Sequence, residues 1–274
     1  ASLWKSWGVE PDVLMGHSIG ELTAAYVAGV LSLEDAAKLV CARGRLMQGC
    51  QSDGVMISIQ AHEEELKPLV EAHVGKLDFA GFNTPHQTVI SGDETAALKV
   101  AKHFEARDRK TTRLKVSHAF HSVHMESMLE QYRKIAKTCA FQSPEIPIVS
   151  NVTGQRATER DLTSPDYWVS QVRQAVRFLD GMSTLKSDGV TTFLECGPQG
   201  ILSAMGAMGI GDGDVTFIPS LRKSSSEPAQ IMKAIGHLHI LGYPLKWGAI
   251  FEGQSVALAN LPTYAFQRER HWLD

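Results

Sequence analysis

The pentapeptide Gly16-His17-Ser18-Ile19-Gly20 constrains the fold of this chain more than any other segment. It follows the apolar residues 13–15 and precedes an alanine-rich helical pattern, which predicts a strand, a sharp turn and a helix. Such a turn is a nucleophile elbow, and we expect both flanking glycines to be required because a side chain there would clash. The amide of Ile19 and the positive helix end would stabilise an oxyanion beside Ser18. The segment therefore predicts chemistry through an acyl-serine, the alternative being that Ser18 is only a helix N-cap.

The remaining chain alternates strand and helix patterns, with one interruption. Between residues 53 and 115 the segments VMISIQ, HEEELKPLVEAH, LDFAGF, QTVIS, ETAALKVAKHFEA and TTRLKV follow the order β-α-β-β-α-β of a ferredoxin-like unit. On either side, alternation of strands and helices predicts a mainly parallel sheet covered by helices. We therefore predict an α/β fold with an α/β-hydrolase-like large subdomain (1–52 and 116–241) and an inserted ferredoxin-like small subdomain (53–115). Residues 242–274 predict an extended segment laid over a surface.

Composition does not decide the function, but it gives no indication of several common classes of partner. The net charge of −3 and the pI near 6.4 give no reason to expect binding to nucleic acid or to an anionic membrane. The four cysteines show no C-x-x-C spacing, which favours reduced thiols in a cytoplasmic protein. No apolar stretch is long enough for a membrane span, and the first residues lack the pattern of a signal peptide.

A nucleophilic serine needs a base, and the chain contains 11 histidines. Three lie on charged helical patterns and are expected to face solvent: His62, His73 and His103. Two more, His237 and His239, fall in the last predicted helix and are interpreted as structural. A cluster of His118, His121 and His124 has the i, i+3 spacing of metal ligands. Because no second group of ligands at zinc-like spacing accompanies it, we expect no metal site.

The run GHSIGELTAAYVAGVLSLEDAAKLVCARGRLMQ (16–48) resembles the malonyl-CoA:acyl-carrier-protein acyltransferase family, in particular the acyltransferase domains of modular polyketide synthases. Four further segments match in the same order: FNTPHQTVISG (82–92), SHAFHS (117–122), FLECGPQGIL (193–202) and YAFQRERHWLD (264–274). The resemblance implies transfer of an acyl group from malonyl-CoA to the phosphopantetheine thiol of an acyl carrier protein, without a bound cofactor. It also implies a neighbouring ketosynthase domain in the same polypeptide, with 242–274 as the linker that follows such domains.

The resemblance assigns roles to individual residues. It makes His121 the general base that takes the Ser18 proton and later returns it to the leaving thiol. In the family this histidine is oriented by a main-chain carbonyl in place of an acid, and matching YWVSQVRQAVRF to the family pattern assigns that carbonyl to Gln171. Arg43 is implied as the ligand of the malonyl carboxylate, since a guanidinium can bind both oxygens. His17 and Gln87 match positions near the site and are predicted to support it.

The segment His118-Ala119-Phe120-His121 bears on substrate choice. Polyketide synthase acyltransferases with H-A-F-H tend to take malonyl units, whereas those with Y-A-S-H tend to take methylmalonyl units. Phe120 would occupy the space that an α-methyl group needs, and His118 belongs to the same specificity segment. Ile19 agrees, because the methylmalonyl group more often carries glutamine there. We therefore predict malonyl-CoA as the substrate, with methylmalonyl-CoA as the alternative.

Two rival functions use the same residues differently. A serine hydrolase of the editing thioesterase kind would share Ser18 and His121 but has no need of Arg43. A docking module without catalysis would not need the serine and histidine, and both are present. Family members also carry further residues before the elbow, with a G-Q-G segment whose glutamine amide is a second oxyanion donor. That donor lies outside this sequence.

Overall fold

The computed structural model describes residues 1–211, 213–223, 225–253 and 260–272. Its strands are β1 Leu14–Met15, β2 Gly54–Ile59, β3 Leu77–Thr84, β4 Gln87–Asp93, β5 Thr111–Arg113, β6 Ile148–Val149, β7 Thr192–Glu195 and β8 Thr216–Pro219. Its helices are α1 Ser2–Ser6, α2 Gly20–Val27, α3 Leu33–Gln48, α4 Glu63–Glu71, α5 Glu94–Glu105, α6 Glu126–Ala136, α7 Glu159–Leu162, α8 Pro165–Arg173, α9 Phe178–Ser187, α10 Ile201–Ile210, α11 Glu227–Ile240 and α12 Trp247–Ile250. A single 3-10 turn, Val123–Met125, precedes α6 in the described chain.

The segment between Gly54 and Arg113 forms an antiparallel sheet with the strand order β3-β4-β2-β5. Helices α4 and α5 lie against it, and their apolar positions join those of β2 in one buried cluster that includes Ile57, Leu66 and Phe104. This order of elements and strands is that of a ferredoxin-like unit. The predicted fold of this segment is confirmed, while the exact boundaries 53–115 stay a prediction.

The other elements contain parallel strand pairs, as alternation of strands and helices requires. β1 pairs with β6, with Leu14 opposite Ile148, and β7 pairs with β8. The main buried cluster, which includes Leu22, Leu39 and Trp168, lies among α2, α3, α6 and α8. A second cluster brings α9 against both strand pairs. The predicted α/β class is confirmed; within the described residues the parallel strands form two separate pairs.

The two parts of the molecule are joined beside α8. Between α8 and α9, the amide of Val176 donates to the carbonyl of Ala80, and the amide of Phe82 donates to the carbonyl of Val176, both over 2.9 Å. Gly81 of β3 and Val176 thus form an isolated parallel bridge at the edge of the sheet. The short connection between α8 and α9 is therefore held by the edge of the antiparallel sheet.

The two described parts of the C-terminal segment differ in how they pack. Its first part packs, because Ile250 of α12 lies in a buried cluster with Trp4 and Leu238. Residues 260–272, in contrast, have neither helix nor strand, and Tyr264 and Trp272 are 75% and 78% exposed. That this part is an extended linker laid over a surface stays a prediction. The rest of the predicted extended segment, 254–259 and 273–274, lies outside the described residues.

Among the described residues, none of the helices combines the length and the hydropathy that crossing a bilayer takes.

Candidate active site

The elbow forms where β1 ends and α2 begins. Ser18 has φ of +53°, the left-handed region that side chains rarely adopt. A Cβ atom at Gly16 would lie 2.1 Å from the amide nitrogen of Glu21, so this glycine is required. A Cβ atom at Gly20 would meet nothing within 4 Å. The expectation that both glycines avoid a clash is correct for Gly16 and wrong for Gly20, because Gly20 already lies in the first turn of α2 and its Cβ would point to open space.

Asn151 holds the elbow in its strained conformation. Its Oδ1 accepts a hydrogen bond from the Ser18 amide over 2.7 Å, and its Nδ2 donates to the Gly16 carbonyl over 2.8 Å. Asn151 follows β6, which runs parallel to β1, so the carboxyl ends of both strands meet at the same edge. Asn151 was not predicted from the sequence, although a polar residue at the end of the apolar segment 146–149 was a usable signal.

Ser18 and His121 lie together, as the resemblance implied. The distance between Ser18 Oγ and His121 Nε2 is 2.7 Å. His121 is buried and, like Ser18, has a positive φ, at +56°. Strained backbone of this kind persists where the surrounding structure enforces it, which is common at active sites. Asp108 is the remaining non-glycine residue with positive φ in the described chain.

The carbonyl that orients His121 belongs to Gln174 and not to Gln171. His121 Nδ1 donates to the Gln174 carbonyl over 2.7 Å, which leaves Nε2 as the acceptor for the Ser18 hydroxyl. The predicted assignment was wrong because Gln171 lies inside α8, where its carbonyl follows the helix axis. Gln174 ends the helix with ψ of 155°, so its carbonyl turns out of the helix direction and reaches the imidazole.

The surroundings keep His121 neutral. Burial and, to a smaller extent, the nearby positive charge of Arg43 lower the pKa of His121 to about 3, although the hydrogen bond to Gln174 acts in the opposite direction. A neutral imidazole whose Nδ1 carries the proton can accept the hydroxyl proton of Ser18 at Nε2. The free site is thus set for the base step.

Arg43 reaches the nucleophile from α3. Its Nη2 donates to Ser18 Oγ over 2.9 Å, and its Nη1 donates to the side-chain oxygen of Gln171, also over 2.9 Å. The side chain is 3% exposed. Burial lowers the pKa of Arg43, but a guanidinium stays charged at physiological pH. Among the residues that the structure describes, no carboxylate lies within ion-pair distance of Arg43. Its neighbour Arg45 is exposed.

A buried carboxyl, Glu21, lies behind the site and was not singled out from the sequence. Its oxygens accept hydrogen bonds from the Tyr167 hydroxyl, from the main-chain amide of Asn151 over 3.3 Å and from Gln171 Nε2 over 3.2 Å. Burial raises the pKa of Glu21 to about 7, although these hydrogen bonds and Arg43 oppose the rise. Gln171 Nε2 also donates to the Ser18 carbonyl over 2.7 Å. Gln171 therefore belongs to the site through its side chain.

The other predicted site residues differ in their hydrogen-bond partners. His17 Nε2 donates to Asn83 Oδ1 over 2.9 Å, which links the elbow to the small subdomain, and burial lowers the pKa of His17. The Ile19 amide makes no hydrogen bond to any described residue, so it is free to donate to an oxyanion. Gln87 donates to Ser58 over 3.0 Å and makes no hydrogen bond to Ser18 or His121 in the described chain.

In the segment from His118 to His121, all residues but Phe120 are buried, and Phe120 is partly buried. His118 is 2% exposed, its Nδ1 contacts Ser117 Oγ over 2.9 Å, and its Nε2 has no partner among the described residues. The Phe120 ring lies 6.0 Å from the His118 ring and packs against buried clusters of both subdomains. In the described part of the chain, no group of three or more potential ligands is arranged to hold a metal ion.

These groups define a class of site. A serine on an elbow, a neutral histidine fixed by a carbonyl, and a free amide on the helix turn are the parts needed to form and resolve an acyl-serine. The buried guanidinium beside the hydroxyl is an addition that hydrolysis does not require. The site therefore contains the groups that a serine-dependent acyl transferase would use.

Comparison with known proteins places the chain in a family. Residues 1–244 match the acyl transferase domain, and the chain belongs to this family. The polyketide synthase GfsA of Streptomyces halstedii is 47% identical over 276 aligned residues, which cover 99% of this chain and 4% of that protein. The chain thus spans a small part of the length of the curated relatives that it matches.

Solved structures agree with this assignment. The acyltransferase domain from the second module of the salinomycin polyketide synthase has a TM-score of 0.88 and 44% identity, over 96% of this chain and 62% of that one. The acyl transferase domain of SpnD, solved in complex with 2-(pent-4-yn-1-yl)malonyl, has a TM-score of 0.81 and 31% identity, over 88% of this chain and 58% of that one. The fold is therefore that of polyketide synthase acyltransferase domains.

Proposed function

We propose that this domain transfers a malonyl unit from malonyl-CoA to the phosphopantetheine thiol of an acyl carrier protein, through an ester on Ser18. The observation that carries the proposal is the position of Arg43, whose Nη2 lies 2.9 Å from Ser18 Oγ. An acyl group bound to this oxygen begins next to a buried positive charge. That placement favours an acyl chain that itself ends in a carboxylate.

Electrostatics support an anionic substrate. Burying a charge is unfavourable unless a partner compensates it, and the hydrogen-bond partners of Arg43 are the neutral side chains of Gln171 and Ser18. Glu21 is the nearby carboxyl, but its pKa of about 7 leaves it only partly ionised at neutral pH. The carboxylate of a malonyl group would complete the charge balance of the site, which acetyl-CoA cannot do.

The chain's own groups account for both half-reactions. In the first, Ser18 Oγ gives its proton to His121 Nε2 and bonds to the thioester carbon, while the Ile19 amide donates to the oxyanion. The C–S bond then breaks, and His121 returns the proton to the CoA sulfur. In the second, His121 takes the proton of the carrier thiol, the sulfur attacks the ester carbon, and the proton goes back to Ser18 Oγ as the C–O bond breaks.

Selection of malonyl over methylmalonyl rests on Phe120. The ring is already packed against apolar clusters of both subdomains, so it has little room to move away from an additional α-methyl group. The complex of SpnD with a substituted malonyl group supports a malonyl-type substrate in this family. Because that group carries a substituent, a branched extender such as methylmalonyl is the alternative substrate to test. Ile19 in place of glutamine supports the unbranched unit.

The proposed setting follows from the relatives. A domain similar to parts of large polyketide synthases would act on a carrier protein and next to a ketosynthase domain of the same polypeptide, in the cytoplasm. We propose no cofactor beyond the CoA thioester and the carrier's phosphopantetheine arm, and no nucleic-acid or membrane partner.

Labelled malonyl-CoA tests the proposal, applied to the longest natural polypeptide that contains these residues. Intact-mass measurement should show one malonyl group on the protein, and Ser18→Ala should show none. Adding a carrier protein with its phosphopantetheine arm should move the label to that carrier. Release of the label to water at the same rate with or without carrier would identify a hydrolase, and label retained on Ser18→Ala would exclude Ser18 as the nucleophile.

A further inference from the structure

We propose that Asp78, a residue of the small subdomain, positions the base His121 for the reaction proposed above. The hydrogen bond from His121 to Gln174 joins two segments of the chain. The Asp78 carboxylate makes a hydrogen bond to each of these segments. The inference depends on the proposed role of His121 and adds a residue on β3 that does not itself contact the reacting atoms.

Two hydrogen bonds carry the inference. Asp78 Oδ2 accepts from the Val123 amide over 2.7 Å, and Val123 lies two residues after His121. Asp78 Oδ1 accepts from Nη2 of Arg173 over 3.1 Å, and Arg173 directly precedes Gln174. One side chain thus ties the segment that carries the imidazole to the segment that carries its carbonyl partner.

Neither segment is held by regular secondary structure at the critical residue. His121 lies before the 3-10 turn with φ of +56°, and Gln174 is the first residue after α8, in an extended conformation. The 2.7 Å hydrogen bond between them therefore depends on contacts from outside both segments. Small displacements of a catalytic group are costly, since about 1 Å of misplacement can slow a reaction about a hundredfold.

Arg173 extends the same connection to α6. Its Nε donates to Glu126 Oε1 over 2.6 Å, so the guanidinium lies between two carboxylates. The Asp78 and Arg173 side chains are only 27% and 24% exposed, and ion pairs with partial burial are screened less by solvent than fully exposed pairs. These carboxylates also balance the charge of Arg173, which otherwise acts to lower the pKa of His121.

The test compares Asp78→Ala and Asp78→Asn with a matched control, Asp166→Ala. Asp166 of α8 accepts from Nε of Arg133 over 2.7 Å, so its removal also breaks a carboxylate–arginine pair, but one that contacts neither segment. In single-turnover acylation by malonyl-CoA, we expect Asp78→Ala to lower the rate constant about tenfold or more, with the apparent affinity for malonyl-CoA unchanged. Asp78→Asn should fall between Asp78→Ala and the native protein, because its amide oxygen can still accept from Val123. Asp166→Ala should match the native protein.

A second measurement needs no substrate. In protein labelled with 15N-histidine, exchange of the His121 Nδ1 proton with water should be at least about tenfold faster in Asp78→Ala, since opening of the bond to Gln174 exposes that proton. The Asn variant provides the same measurement if the Ala variant does not fold. Native exchange and native acylation in folded Asp78 variants would overturn the inference. Absence of acylation in the native protein would count against the proposed function, while the exchange rates would still decide the role of Asp78.

Discussion

Glu21 and Arg43 bind opposite ends of one side-chain amide, that of Gln171. Gln171 Nε2 donates to Glu21 over 3.2 Å, and Gln171 Oε1 accepts from Arg43 over 2.9 Å. The neutral amide of Gln171 lies between the Glu21 carboxyl and the Arg43 guanidinium. Arg43 therefore makes no direct ion pair with Glu21, and its positive charge is not compensated there. Arg43 therefore remains available to a negatively charged substrate beside Ser18.

This relationship predicts a selective effect of removing the guanidinium. Truncating one member of a buried charge pair costs on the order of 2–5 kcal/mol, so Arg43→Ala should lower malonyl transfer by about thirtyfold to several thousandfold. Transfer from acetyl-CoA should fall little or even rise. Rates with both donors, measured side by side in this variant and in the exposed control Arg45→Ala, check the prediction. Equal losses for the two donors would make Arg43 a structural residue.

Glu21 predicts a dependence of stability on pH. Its pKa is raised from 4.5 to about 7 in the folded protein, so the folded state holds a proton that the unfolded state releases. The contribution of Glu21 to the free energy of unfolding is therefore complete below about pH 4.5 and is lost as pH rises through about 7. A pKa difference of one corresponds to about 1.4 kcal/mol, which limits the loss to about 3 kcal/mol.

The measurement is chemical denaturation of the native protein and of Glu21→Gln between pH 5 and pH 8. The lowered pKa values of His17 and His121 act in the opposite direction in both proteins, so the difference between the two proteins isolates Glu21. As pH rises, the free energy of unfolding of Glu21→Gln should increase relative to that of the native protein. A constant difference across this range would mean that the carboxyl titrates normally.

The two glycines of the elbow should respond differently to alanine. Gly16→Ala would place a Cβ atom 2.1 Å from the Glu21 amide nitrogen, so the turn must distort, and acylation of Ser18 should be largely lost. Gly20→Ala meets open space in the first turn of α2 and should raise stability by up to about 1 kcal/mol, because alanine is the better helix former. Intact-mass acylation and thermal unfolding of both variants check this prediction. Equal damage from the two substitutions would contradict it.

Phe120 predicts the preference for the extender unit. If the ring fills the space of an α-substituent, Phe120→Ser should raise the ratio of methylmalonyl to malonyl transfer about tenfold, which corresponds to about 1–2 kcal/mol of relieved overpacking. The ratio is measured with both donors competing in one reaction, so general damage to the site cancels. An unchanged ratio would show that another wall of the pocket selects the extender.

Local patterns predicted the fold class and the elbow at Ser18, whereas the family resemblance was needed for the other site residues. The order of short apolar segments and helical segments after Gly54 predicted the ferredoxin-like order of elements, which the antiparallel sheet confirms. The G-x-S-x-G segment predicted the elbow because the strain of that turn is a property of neighbouring residues. The resemblance added His121 and Arg43, and the structure brings both to Ser18.

What only the tertiary structure decided are contacts between distant positions. Gln174 replaces Gln171 as the partner of His121 because the end of α8, and not the spacing along the chain, sets which carbonyl turns toward the imidazole. Asn151 reaches the elbow because two parallel strands end at one edge. Burial in the packed molecule likewise raises the pKa of Glu21. The sequence determines which groups are present and their local conformation, whereas distance, direction and desolvation exist only after the chain has packed.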